Sequence, residues 1–201
     1  DESADINAQN IHLTSDGLEF DIVAGTQRHT NVKLHNIYAK HNVLIALYAY
    51  AAGRAEGVTP QNIIKGIEQF KMLGIRQNIF TTSDGILVYA DCFNAVAKSI
   101  KSAIDSAQTI PLSCVNGGNS VPRRIAVLGD IAEVGDLTMS MHEDVIRYVD
   151  ESNFDYLFFA GSKLKAAWSN VKTRDSLKVV VCEDNKHIVS ELKKIAPSDG
   201  D

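Results

Sequence analysis

Apolar and polar positions alternate with a period of two at the start of the chain, and the period lengthens to that of a helix further on. Ile11, Leu13, Leu18, Phe20 and Ile22 are interleaved with polar residues on either side of Ser15-Asp16-Gly17, which predicts a β-hairpin closed by that turn. A second turn at Ala24-Gly25-Thr26 leads to a weaker strand around Val32 and Leu34. From His41 to Glu56, Val43, Leu44, Leu47, Tyr48 and Ala51 recur at helical spacing, and Gly57 is placed to end the helix. Thr59-Pro60 reads as an N-cap followed by proline at the first helical position. It opens a second helix over residues 60–72, with Ile63, Ile64, Ile67 and Phe70 on one face and Gly74 beyond its end.

The remainder alternates strand and helix. Ile86 to Ala90 is a short apolar run, followed by a helix with Ile100, Ala103, Ile104 and Ala107 on one side. Pro111 to Pro122, containing Asn116-Gly117-Gly118-Asn119-Ser120, reads as a mobile surface loop. Ile125 to Leu128, Tyr156 to Phe159 and Val179 to Val181 are further strands. Ser140-Met141-His142-Glu143 fits a capping box opening a helix that buries Val145, Ile146 and Val149; two more helices lie around Leu164 to Trp168 and Ile188 to Ile195. Strands separated by single helices predict an α/β domain of Rossmann-like type from about residue 75, with a mostly parallel sheet. Its ligands would gather outside the carboxyl ends of the strands, where Asp91-Cys92-Phe93-Asn94 and Gly129-Asp130 stand. The hairpins and two helices of residues 1–74 make a poor core by themselves. The chain reads as beginning inside a run of hairpins and stopping at the turn sequence 197–201, short of a last strand.

Composition narrows the function. With 201 residues, 45% of them apolar, the chain can bury a sizeable core, and its net charge of −5 has the wrong sign for a nucleic-acid partner. No run of 18 apolar residues predicts a membrane span. Cys92, Cys114 and Cys182 form no disulfide framework, which points to a reducing cytoplasm. The histidines show no metal-ligand spacing, so no metal site is expected in this chain.

Four segments, in order, resemble the Mur ligase family. Tyr38-Ala39-Lys40-His41-Asn42-Val43 before an Ala-rich helix is similar to the segment closing that family's central ATPase domain, and Gly74-Ile75-Arg76 to the junction with its C-terminal domain. Asp91-Cys92-Phe93-Asn94-Ala95 with Ser99, and Val127-Leu128-Gly129-Asp130 running to Glu133-Val134-Gly135 with His142, resemble two motifs of the branch that joins D-alanyl-D-alanine to UDP-N-acetylmuramoyl-tripeptide. The chain departs from the family pattern at Ile45, Phe93, Val96 and Ala97. It also contains no GxxxxGK[ST] phosphate loop.

The resemblance implies an ATP- and Mg²⁺-dependent amide ligase of peptidoglycan synthesis working through an acyl phosphate. The phosphate loop and metal ligands would lie outside this chain, which is expected to be inactive alone and monomeric. It implies that Arg76 serves catalysis by binding phosphate oxygens on domain closure, that Asp91 accepts from ribose hydroxyls, and that His41, Asn42 and Asn94 hold the nucleotide. Glu133 and His142 would serve the dipeptide side. Read without the resemblance, His41-Asn42 is a helix start, Asp91 and Asn94 are caps for the next helix, and Arg76 is a surface residue. Other Mur-type ligases, of folylpolyglutamate or cyanophycin type, and a non-catalytic Rossmann-like binding module are the competing readings.

Overall fold

The computed structural model describes residues 4–112, 121–132 and 134–201, so most of the expected 111–122 loop, Cys114 and Glu133 lie outside the described residues. The chain divides into two compact units, one running to Asn78 and the other Ile79–Asp201.

In the first unit, strands β1 (Ile6–Thr14), β2 (Gly17–Ala24) and β3 (Gln27–His35) form an antiparallel sheet in the order β1-β2-β3. Leu18, Phe20 and Ile22 of β2 and Val32 and Leu34 of β3 are buried against helices α1 (His41–Ala55) and α2 (Pro60–Glu68). Ile11, expected to face the core, is 43% exposed. The cause is a β-bulge between Gln9 and His12, which shifts the side-chain alternation of β1.

That bulge and a second, between Phe20 and Ile22, share one anchor, Asp21. The buried Asp21 carboxylate accepts from Arg28 Nη2 (2.6 Å) and Nε, from Asn10 Nδ2 (2.7 Å) and from the Asn31 amide (3.0 Å). Asn10 and Asn31 both hold left-handed backbone, at φ 52° and 57°, a conformation asparagine tolerates better than most residues. The Arg28 hydrogen bonds, then the Asn31 amide, hold the Asp21 carboxyl below its ordinary value. Asp21→Ala should lower the stability of this unit by about 1–2 kcal/mol, since water can re-solvate part of what is lost. Urea denaturation checks this, and an unchanged midpoint would show that the bulges hold without the carboxylate.

The inward face of α1 is Asn42, Val43, Ala46 and Tyr50. Leu44 and Tyr48, predicted on that face, are 50% and 65% exposed, because α1 is apolar most of the way round and periodicity alone does not select its buried stripe. Helix α2 stops at Glu68, four residues before the predicted end, and Phe70 is left exposed. Thr59 occupies the N-cap position but makes no side-chain capping bond; Pro60 starts the helix.

In the second unit, β6 (Ile125–Gly129), β7 (Tyr156–Ala160) and β8 (Lys178–Cys182) form a parallel sheet in sequence order. The apolar cluster of Ile146, Val149, Leu157, Phe159 and Leu164 packs around it, and Phe158, Cys182 and Ile188 make a second cluster. Trp168 packs edge-on to Phe159. Helices α3 (Ala97–Thr109), α4 (Thr138–Asp150), α5 (Ser162–Trp168) and α6 (Asn185–Ile195) alternate with the strands. Strand β5 (Leu87–Ala90) pairs with β4 (Asn78–Thr81), whereas the sequence pattern placed it in the parallel sheet. Among the described residues, β6 therefore has no strand partner on its second edge.

Two side chains tie this unit together. The Arg124 guanidinium donates to the Ala107 and Ile110 carbonyls, closing the end of α3. The Arg123 guanidinium grips the Asp201 carboxylate, and the Leu87 amide donates to the Asp201 carbonyl. The predicted capping box at Ser140 is not formed: α4 begins at Thr138, and the Ser140 hydroxyl donates to the Leu137 carbonyl.

Candidate functional site

In the first unit the residues of interest converge on the start of α1. Buried Asn42 donates through Nδ2 to the Ala39 carbonyl and to Gln77 Oε1, both at 3.0 Å. Gln77 in turn approaches exposed His41, Nε2 to Nε2, at 3.3 Å. The Asn42 amide is thus spent on structure; it holds the segment carrying Arg76, whose own amide donates to the Leu73 carbonyl. Arg76 is exposed. Gln77, with φ 45°, links these residues and carried no signal in the sequence.

In the second unit Asp91 follows β5 and Asp130 follows β6, and both line a cavity of about 580 Å³ with Asn94, Ser99 and Asn185 as its other polar residues besides Tyr89 and Cys92. Asp91 and Asn94 do not cap α3. That role falls to Ser99, whose hydroxyl accepts from the Val96 amide and donates to the Val96 carbonyl. Among the described residues neither the Asp91 carboxylate nor the Asn94 amide makes a hydrogen bond. The Tyr89 hydroxyl is buried there near Ser106, and among the described residues it makes no hydrogen bond of normal geometry. Burial, then the nearby Asp91 charge, pushes its pKa up to about 12, so it stays a neutral donor.

Behind this rim sits a fully buried imidazole. His142 Nε2 accepts from the Ile131 amide at 2.9 Å, and Nδ1 donates to the Thr138 carbonyl. Both ring nitrogens are used and the ring has no exposed surface, so the direct dipeptide contact expected of His142 has no free atom to make it. Asp130 is equally committed. Its carboxylate accepts from the Lys163 and Leu164 amides at 3.2 and 2.9 Å and so caps α5 from a neighbouring strand. Gly161 permits this approach: a Cβ there would lie 2.1 Å from Asp130 Oδ1, and its φ is 143°.

Among the described residues the lining of the cavity contains two carboxylates and no lysine or arginine. Such a set suits hydroxyl or amine donors and disfavours phosphate. Asp91, Asn94 and the Tyr89 hydroxyl are therefore suited to a ligand that presents hydroxyl or amine groups, and a phosphate there would need cations from elsewhere. Among the described residues no three His, Cys, Asp or Glu side chains come together as a metal-holding group. No helix is long and apolar enough to cross a membrane.

A family model described as "Mur ligase, glutamate ligase domain" matches residues 75–201. The chain belongs to the Mur ligase family. A UDP-N-acetylmuramoyl-tripeptide--D-alanyl-D-alanine ligase of Bacillus subtilis is 29% identical over 157 residues, which make up 78% of this chain and 32% of that protein. MurF from Acinetobacter baumannii has a TM-score of 0.76 at 25% identity, covering 98% of this chain and 40% of that one. A MurF ligase of Thermotoga maritima, solved in complex with ADP, shares the fold with a TM-score of 0.73 at 15% identity, over 100% of this chain and 42% of that one. This Mur ligase chain therefore spans about a third of the length of its curated relatives.

Proposed function

We propose that this chain supplies the nucleotide-closing and amine-substrate side of an ATP-dependent ligase, acting in the cytoplasm, that joins D-alanyl-D-alanine to UDP-N-acetylmuramoyl-tripeptide. The observation that carries this reading is the cation-free carboxylate rim at the ends of β5 and β6, on a chain whose relatives include ligases of that name. ATP, when bound, supplies the phosphoryl group that activates the tripeptide carboxylate. Asp91 accepts from the two ribose hydroxyls, as acidic residues do at strand ends in other nucleotide folds. Asn94 and the Tyr89 hydroxyl orient the nucleoside. Arg76 delivers a permanently charged planar fork to developing phosphate charge, and His41 and Asn42 act by holding Gln77 and hence the Arg76 segment. Glu133 belongs to the amine side on the strength of its motif. The phosphate loop and the Mg²⁺ ligands would be supplied by residues outside this chain, with Arg76 the cation that this chain adds.

In the full-length protein, Arg76→Ala and Asp91→Ala should each slow D-alanyl-D-alanine-dependent phosphate release by at least tenfold, roughly 1.4 kcal/mol, with far-ultraviolet circular dichroism unchanged. Wild-type turnover in either variant sinks that residue's role. A wild-type protein that releases no phosphate with both substrates present sinks the reading as a whole.

A further inference from the structure

The turn leaving β6 is held from two directions. Asp130 places both carboxylate oxygens on the first amides of α5. One residue on, the Ile131 amide donates to His142 on α4. The imidazole is fixed in one tautomer, because Nδ1 must carry the proton to donate to Thr138, which leaves Nε2 as the acceptor. Ile131 is fully buried, and Ala132, the next residue, lines the cavity. A buried histidine that only filled space would need no amide partner, and an apolar side chain would fill the same stripe beside Val145, Ile146 and Val149 without hydrogen bonds.

We infer that His142 and Asp130 are a pair of positioning residues that fix the Gly129–Ala132 rim for the amine substrate. This inference rests on the ligase reading above. On the β5 side of the cavity the Asp91 and Asn94 side chains make no hydrogen bond among the described residues, whereas the Asp130 carboxylate is consumed by α5. The β6 side therefore presents main chain at its rim, and main-chain carbonyls are the acceptors an incoming ammonium group requires where no cation competes for them. Their direction is set by the two clamps behind them, and a small tilt of the rim misaligns the amine for attack.

Two isosteres separate this role from packing. In His142→Gln the amide oxygen reaches the place of Nε2 and can accept from Ile131, whereas in His142→Asn the side chain reaches only the place of Nδ1. In the full-length ligase, steady-state kinetics should show the KM for D-alanyl-D-alanine raised about fivefold or more by His142→Asn and within twofold of wild type for His142→Gln. The KM for ATP should hold in both. Asp130→Asn, which places a donor against one of the α5 amides, should raise the same KM and serves as the second variant should the histidine variants fold poorly. Equal KM values for the Asn and Gln variants, or parallel movement of both substrates' KM, overturns the inference while leaving the ligase reading intact. Absence of dipeptide-dependent turnover in the wild type removes the ligase reading itself, and this inference with it.

Discussion

Gly161→Ala is expected to be the most damaging single substitution at the rim, costing about 3–5 kcal/mol. Two effects add. At φ 143° a side chain occupies backbone space that glycine alone adopts without strain, and a Cβ would sit 2.1 Å from Asp130 Oδ1. The carboxylate has to withdraw, which releases the Lys163 and Leu164 amides at the start of a helix of only seven residues. Fluorescence of Trp168, the chain's single tryptophan, reports this unit directly because it lies at the end of the same helix. Its thermal midpoint should fall by roughly 10 °C. Adding Asp130→Ala to Gly161→Ala should recover part of the loss, since the steric conflict disappears when one partner is shortened. A drop below about 1 kcal/mol for Gly161→Ala would mean that the carboxylate moves aside without cost, and that the α5 cap contributes little.

Arg123→Ala should cost about 2–3 kcal/mol, somewhat below the usual value for breaking a buried ion pair because the arginine keeps some contact with water. The Asp201 side chain has no exposed surface; it accepts from Arg123 through Nη2 at 2.5 Å and Nε at 3.1 Å, and from the Arg123 and Ser198 amides. The same guanidinium donates to the Ile195 and Ala196 carbonyls at the end of α6. Burial opposes ionisation of Asp201, but the hydrogen bonds from Arg123 and the two amides outweigh it and leave the carboxyl below its ordinary value. A depressed carboxyl stabilises the fold at every pH above its unfolded value and loses that contribution as the pH falls through the lower, folded one. The variant should therefore begin its acid unfolding at a higher pH than the wild type, and circular dichroism across an acid titration measures the shift. Superimposable acid limbs would show that the pair is neutral in balance.

Much of the fold was legible because helices and strands carry their own periodicity. Two of the errors share a cause: each depends on a partner distant in sequence. The bulge that turns Ile11 outward is anchored by Asp21, and nothing near Ile11 announces it. Strand β5 reads as apolar, but whether it pairs with β4 or β6 is a tertiary choice. Ser140 is a local error: it has the spacing of a capping box, yet α4 runs on directly from the 3-10 turn Gly135–Leu137 and begins at Thr138, two residues before Ser140.

Site residues divide the same way. Asp91 and Asp130 stand at the strand ends where the sequence pattern places them, and both line the cavity there. His142 was read as a contact residue, although its spacing with Val145, Ile146 and Val149 marks the buried stripe of α4. That signal was present in the sequence and pointed to a structural partner. Gln77 and Gly161 had no such signal. Gly161 matters because of an aspartate 31 positions earlier, and a local pattern cannot contain that distance.

The second edge of β6 has a consequence for how this unit meets other polypeptides. Among the described residues, the five of β6 lie along the cavity without a strand beside them, and Val127 at their centre is 48% exposed. Main-chain groups on a bare edge are complementary to any extended backbone of suitable direction. Among the described residues the β6 wall of the cavity thus carries main-chain groups in the arrangement of a sheet margin. The polar side chains of the cavity are concentrated instead toward the strand ends, around Asp91 and Asn94.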